Sequence, residues 1–288
     1  MKEALSIAGP DVAKVEQKRP PIFIRNALVA HVIAFVADRI LDDGLTSDGR
    51  DLLYKLVVRA CRGERVSISR EVPLVYQGAT LKIEADGQNN IPSFGPTMLI
   101  GNHTRGGPLL NNGQFIEMAS QGYHARRGVQ EEEIREPFVI MQKGLGGWVV
   151  KRYATEFFYK MAASALNCEI VTIPRFGKNK DNKEVEIVNH QGLRPIATQR
   201  IIDGGAALWL PQGTHREPDD LRFPENKGTG FLRKIYDEDR YVQLVPVRSI
   251  PDSNRNVKIV FGPAVGISEV IKGGGINYFA QNHIASLR

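Results

Sequence analysis

From about residue 73 onward the chain settles into short apolar runs cut by glycine and proline, and this rhythm constrains the fold more than any other feature. The runs are PLVYQ, LKIEA, TMLIG, PFVIM, CEIVTI, AALWL, VQLVPV and VKIVFG, with helical patterns near 109 to 121, 147 to 166 and 192 to 203 between them. Runs this short and this rich in Val, Ile and Leu read as strands. Strands alternating with helices predict an α/β fold, a mixed sheet flanked by helices, with working loops at the strand ends. PLVYQ and LKIEA are expected to pair as a hairpin.

The chain before that point has a different period. A polar arm over 1–22 ends at Pro20-Pro21, and two helical patterns follow at about 23 to 42 and 48 to 62. Asp42-Asp43-Gly44 separates them, and Thr46-Ser47-Asp48 offers N-caps for the second. The expected organisation is therefore the arm at 1–22, an N-terminal helical pair within 23–70, and the α/β domain over 71–288. The most apolar stretch, Ala27 to Leu41, contains His31, Asp38 and Arg39 and is shorter than the roughly 20 residues of a membrane span. It reads as a packed helix, with any membrane contact peripheral. The first residues carry no apolar signal core, so no secretory targeting is expected.

Composition narrows the class of partner. At 42% apolar and 24% charged residues the chain is ordinary for a globular protein, and disorder is not expected. Lys and Arg outnumber Asp and Glu by 38 to 32, a net charge of +6, which favours anionic partners such as phosphorylated metabolites or lipid surfaces. No Arg/Gly-rich or Lys-rich tract points to nucleic acid. Cys61 and Cys168 are too few for a disulfide framework, and a reducing, cytoplasmic compartment is the simpler reading.

The candidate chemistry sits where strands end. TMLIG runs straight into Asn102-His103 and then Thr104-Arg105-Gly106-Gly107-Pro108, a strand followed at once by an imidazole and a turn. A lone histidine there is more often structural; its company raises it. CEIVTI leads into Pro174-Arg175, and AALWL into Pro211-Gln212-Gly213-Thr214-His215-Arg216. If these strands are neighbours, His103 meets Arg105, Arg175, Thr214, His215 and Arg216 around an anion. That set suits acyl transfer, phosphoester hydrolysis or plain anion binding, and spacing alone does not choose among them. The histidines at 103, 124, 190 and 215 have no metal-ligand spacing, so no metal is expected. No GxSxG elbow occurs, and Gly144-Leu-Gly-Gly147 lacks the Gly-Lys-Ser/Thr ending of a phosphate loop. The polar stretches at 178–183 and 219–227 and the acidic run at 131–133 read as connections and solvated faces.

In order along about 73 to 267, these blocks resemble the glycerolipid acyltransferases of the glycerophosphate and lysophosphatidate acyltransferase type. IEADGQNNIPSFGPTMLIGNH, from Ile83 to His103, resembles the family's lead-in to its histidine motif. Met141-Gln-Lys143-Gly-Leu-Gly-Gly-Trp148 is similar to its lysine segment, and Asn167 to Arg175 to the block ending in a phosphate-binding arginine. Leu210-Pro-Gln-Gly-Thr-His-Arg216 resembles the proline-acid-glycine-threonine-arginine block, followed by Lys227-Gly-Thr-Gly-Phe231, Val245-Pro-Val247 and the last strand VKIVFGPAV. The resemblance implies a glycerophosphate acyltransferase-like fold and a reaction with no cofactor, in which His103 as general base deprotonates a glycerol phosphate or lysophospholipid hydroxyl. That hydroxyl attacks the thioester of acyl-CoA or acyl carrier protein, the co-substrate. Arg105, Lys143, Arg175, Gly213, Thr214, His215 and Arg216 are then the substrate-binding set, and a membrane surface the peripheral partner.

Three positions depart from the family pattern. Pro108 stands where an aspartate orients the histidine, Gln212 where an acid precedes the glycine, and His215 where the arginine follows the threonine, with Arg216 one residue late. Some relatives carry the acid further along, and Asn112-Gly113 is the counterpart here, so Asn112 is the candidate partner of His103; an asparagine carbonyl accepts an imidazole N–H but holds less charge. Replacing the acid by Gln212 would leave the arginine site more positive. Two further readings stay open: a catalytically impaired relative that binds phospholipid or acyl carrier without transfer, and a hydrolase that uses water as the acceptor.

Overall fold

The computed structural model describes residues 24–40, 44–64, 71, 74–77, 82–104, 122–123, 138–142, 170–173, 176–178, 184–186, 198–199, 201–202, 206–212, 217, 219–223, 225–254 and 256–288. The two helices expected at the start are present as α1 (Ala27–Ile40) and α2 (Ser47–Cys61). Thr46 caps α2, its Oγ1 accepting from the Gly49 N–H at 3.1 Å. Ala30 and Ala34 of α1 pack on Val57 and Cys61 of α2, small side chains that let the helices approach. Burial pushes the Cys61 thiol pKa up.

The strands are β1 (Ile83–Asp86), β2 (Thr97–Gly101), β3 (Phe138–Gln142), β4 (Ile170–Ile173), β5 (Phe176–Lys178), β6 (Glu184–Glu186), β7 (Ala206–Trp209), β8 (Gln243–Pro251), β9 (Val257–Phe261) and β10 (Val265–Gly266). The main sheet runs β1-β9-β8-β2-β7-β3-β4, with β10 paired to β8. β8, β2, β7, β3 and β4 are mutually parallel, whereas β9 runs against β8 and carries β1 parallel to itself. The sheet is mixed, as the alternation of strands and helices predicts.

β2 is buried at every residue and sits between β8 and β7, with Ile100 level with Pro246 on one side and Trp209 on the other. Its side chains divide between two cores, as period-2 alternation in a sheet covered on both faces requires. Met98 and Ile100 join Ala207, Trp209 and Leu244 beneath Phe231, Leu232 and Ile235; Leu99 joins Leu208, Val245, Val247 and Ile259 on the other face.

The first cover comes from α3 (Glu225–Glu238), α4 (Ile267–Gly273), α5 (Ile276–Phe279) and the π-helical turn Ala280–Ile284. Trp209 of β7 meets Phe231 of α3 edge to face, with centroids 5.3 Å apart. Gly228 lets α3 close on α5, because a Cβ there would come within 2.9 Å of Ile276 Cγ2.

Two expectations are corrected. PLVYQ and LKIEA do not form a hairpin: Leu74 and Val75 are helical, Tyr76 and Gln77 turn, and Ile83–Asp86 pairs with β9 instead. Val75 is buried, and its carbonyl sits against Gly49 of α2, where any side chain would collide with it. The 219–227 stretch is not merely a polar connection, since α3 begins at Glu225 and takes the Lys227-Gly-Thr-Gly-Phe231 segment into a helix. Of the expected helical stretches, 109–121 and 147–166 lie outside the described residues, and helix is found at 198–199 and 201–202.

Candidate active site

Five parallel strands end at one edge of the sheet, the edge at which open α/β sheets bind ligands. β2 delivers Asn102 and His103 there, and its neighbour β7 delivers Leu210, Pro211 and Gln212. Of the three expected strand-to-loop transitions, those after β2 and β7 are adjacent, whereas β4 is set off from β7 by β3, which lies between them.

Asn102 is 4% exposed and is clasped to β8 at two points. Its Nδ2 donates to the Ser249 carbonyl at 3.1 Å, and its Oδ1 accepts from the Ser249 N–H at 2.8 Å. A side-chain amide thus adds one more rung between β2 and β8 after the backbone ladder has stopped. On the other flank, the His103 N–H donates to Gln212 Oε1 at 2.5 Å, and Gln212 Nε2 donates to the Asp220 carbonyl at 2.6 Å. The backbone around His103 is therefore held from both neighbouring strands by amides that use both their donor and their acceptor.

His103 itself is half-buried, with Nδ1 enclosed by protein, and Thr104 beside it is buried. The structure thus sets an imidazole, a side chain able to take or give a proton, at the edge between two strands with one of its nitrogens enclosed.

The segment that Gln212 grips is anchored in turn. Arg248 of β8 donates from Nη2 to Asp219 Oδ1 at 2.7 Å, and from Nη1 to the carbonyls of Leu287 at 2.8 Å and Ala285 at 3.1 Å. Phe223 N–H donates to Asn277 Oδ1 at 3.2 Å. Arg222 pairs with both oxygens of Asp220 at 2.7 Å, and that hydrogen bonding holds its guanidinium pKa above the usual value; exposed to solvent, this pair adds little to stability.

Of the residues expected in the site, His103 is placed at this edge. Arg105, Asn112, Lys143, Arg175, Gly213, Thr214, His215 and Arg216, and Pro108 with them, lie outside the described residues. In sequence, Lys143 directly follows β3, Arg175 follows β4 by two residues and Gly213 follows Gln212, so the chain enters each of these segments from the same edge. Gln212 is 5% exposed and tied to backbone at both ends of its amide. Neither it nor Asn102 stood out as a structural tie, because their partners lie far away in sequence. Among the described residues no group of three or more His, Cys, Asp and Glu side chains is placed to hold a metal ion.

The fold and site together define an α/β protein with a mixed sheet, flanking helices and a histidine at the carboxyl edge of a central parallel strand. No protein-family model matches the sequence, and no curated protein matches it. Among solved structures, the chain is similar to the 1-acyl-sn-glycerophosphate (LPA) acyltransferase PlsC from Thermotoga maritima. That similarity has a TM-score of 0.43 and 14% identity, and covers 88% of this chain and 90% of that one.

Proposed function

We propose that this protein is an O-acyltransferase that moves a fatty acyl group from acyl-CoA or acyl carrier protein to the hydroxyl of a glycerol phosphate or lysophospholipid. The observation that carries the reading is His103 at the carboxyl edge of β2, held beside the β7 loop whose sequence continues as Gly213-Thr214-His215-Arg216. The ordered blocks of the sequence supply the reaction class. His103 takes the proton of the acceptor hydroxyl as its oxygen attacks the thioester carbonyl; the carbon–sulfur bond breaks, and the proton passes to the leaving thiolate. Arg105, Lys143, Arg175 and Arg216 bind the phosphate, with Gly213 and Thr214 bringing backbone donors to it and His215 beside them. Asn112 is the partner assigned to the imidazole.

The same reading places the protein on the cytoplasmic side of a membrane surface, where its lipid substrates lie. Support comes from α1, which turns Ala30, Ile33 and Ala34 inward to α2 and leaves four apolar side chains outward: Leu28 is 71% and Phe35 55% exposed, with Val29 and Val32 between them. No helix among the described residues is long and apolar enough to cross a membrane.

A second reading is favoured by Pro108, which gives the imidazole no carboxylate: a relative that binds phospholipid or acyl carrier without transferring an acyl group. The test is product formation from labelled acyl-CoA and acyl carrier protein, each offered with glycerol 3-phosphate and with lysophosphatidate. Acylated acceptor supports transfer. Binding of the acceptor with no product supports the second reading, and release of free fatty acid regardless of acceptor makes the protein a hydrolase.

A further inference from the structure

We propose that Gln212 is a positioning residue for His103, and that it is an amide because the position needs a donor and an acceptor at once. The inference rests on the reading of His103 as the working base.

The geometry assigns each half of the amide a separate task. Oε1 receives the His103 N–H at 2.5 Å, and Nε2 reaches the Asp220 carbonyl at 2.6 Å. The first bond fixes the backbone from which the imidazole projects; the second fixes the side chain making the first. Asp220 is in turn held by its neighbours, because Asp219 is gripped by Arg248, a β8 side chain that also binds the carbonyls of Ala285 and Leu287. His103 is thus referenced through Gln212 to β8 and the chain's last turn, in addition to the Asn102 clasp on its other flank.

A carboxylate at position 212 could still accept from the His103 N–H. It could not donate to the Asp220 carbonyl, and would set oxygen against oxygen at a side chain only 5% exposed, where an unmet polar group is costly. The glutamine that replaces the acid of the resembled motif is therefore not a simple loss of charge. It performs work that a carboxylate can do only when protonated.

Two variants separate the halves of the amide. Q212M keeps the length of the side chain and removes both hydrogen bonds; Q212E keeps the acceptor and makes the donor depend on pH. The readouts are hydrogen exchange of the His103 amide, the chemical shift and titration of the His103 ring by NMR, and kcat and KM for acyl transfer.

In Q212M the His103 amide loses its protection, the ring signal moves, and kcat falls by about tenfold to a hundredfold with KM for the acceptor little changed, the scale expected when a reacting group is misplaced by an ångström. In Q212E protection of the His103 amide returns as pH falls and the introduced carboxyl gains a proton that it can donate to the Asp220 carbonyl; a side chain that only filled space would show no such pH dependence.

Unchanged protection in Q212M overturns the proposal, and so does lost protection with kcat and the ring signal unchanged. If the wild-type protein transfers no acyl group, the acyl-transfer reading fails by itself. The ring signal then decides the positioning claim: a shift in Q212M upholds it and an unmoved signal overturns it.

Discussion

Asn102 and Ser249 form a closed pair in which one side-chain amide both gives to and takes from one backbone unit, at 3.1 and 2.8 Å, with both residues almost fully buried. The pair joins β2 to β8 one step before His103. N102D would keep the acceptor, leave the Ser249 carbonyl without that donor and bury a charge. An unmet buried acceptor costs about 1–3 kcal/mol, and a charge adds to it. Urea unfolding of N102D should show a lower midpoint with an unchanged slope; an unshifted midpoint would mean that the clasp is not holding the strands together.

Two glycines of α3 predict opposite signs for the same substitution. G230A adds a Cβ with no atom within 4 Å on an exposed helical turn, and should stabilise by about 0.5–1 kcal/mol through helix propensity and a less disordered unfolded chain. G228A gains the same propensity but drives its Cβ to 2.9 Å from Ile276 Cγ2, an overpacking that costs about 1–3 kcal/mol and wins. Thermal melts of the two variants check this directly, and equal shifts of one sign would contradict the packing of α3 on α5.

The β8–β9 turn carries a pH dependence. Asp252 has its pKa held below the usual carboxylate range, chiefly by the Asn256 side chain donating to Oδ2 at 2.7 Å and further by the Asn256 and Asn254 N–H groups, each 2.8 Å from Oδ1. Because the folded pKa is lower than the unfolded one, ionised Asp252 favours the fold above the unfolded value of about 3.9, and that contribution fades as pH falls through the folded value. D252N should melt below the wild type at neutral pH, with the gap closing below about pH 4. A gap independent of pH would show that the charge at 252 is not involved.

The outward face of α1 predicts surface behaviour. Leu28, Val32 and Phe35 recur at helical spacing on the side away from α2. Replacing all three with serine removes about 200–300 Å² of apolar contact at most, enough at about 25 cal/mol per Å² to weaken binding to anionic phospholipid vesicles by more than a hundredfold. Co-sedimentation of wild type and triple variant measures it, and equal binding would assign α1 no part in membrane contact.

The sequence makes some of this plain and hides the rest for physical reasons. TMLIG and AALWL are legible because a strand buried on both faces is apolar nearly throughout. His103 is legible because it stands directly past such a run. α3 is harder to see: Gly228 and Gly230 break the helical pattern, and its core contacts, Phe231, Leu232 and Ile235, begin only halfway along. The failed hairpin at 73–85 shows that alternation cannot name a strand's partner: β1 finds β9 some 170 residues on, with the Asn256 side chain accepting from Lys82 N–H as the pair begins. Gln212 was legible only as a departure from a motif. Its purpose depends on Asp220 and on His103, 109 residues earlier, and no local pattern connects them.

The central claim is that His103 is the base of an acyl transfer, and its most direct measurement is the turnover of H103A beside the wild type, with labelled acyl donor and glycerol 3-phosphate or lysophosphatidate, after circular dichroism shows that both are folded alike. A general base contributes about 10²–10⁴-fold, so the account predicts a loss of at least a hundredfold in kcat with binding of the phosphorylated acceptor retained. Turnover in H103A close to the wild-type value would contradict it.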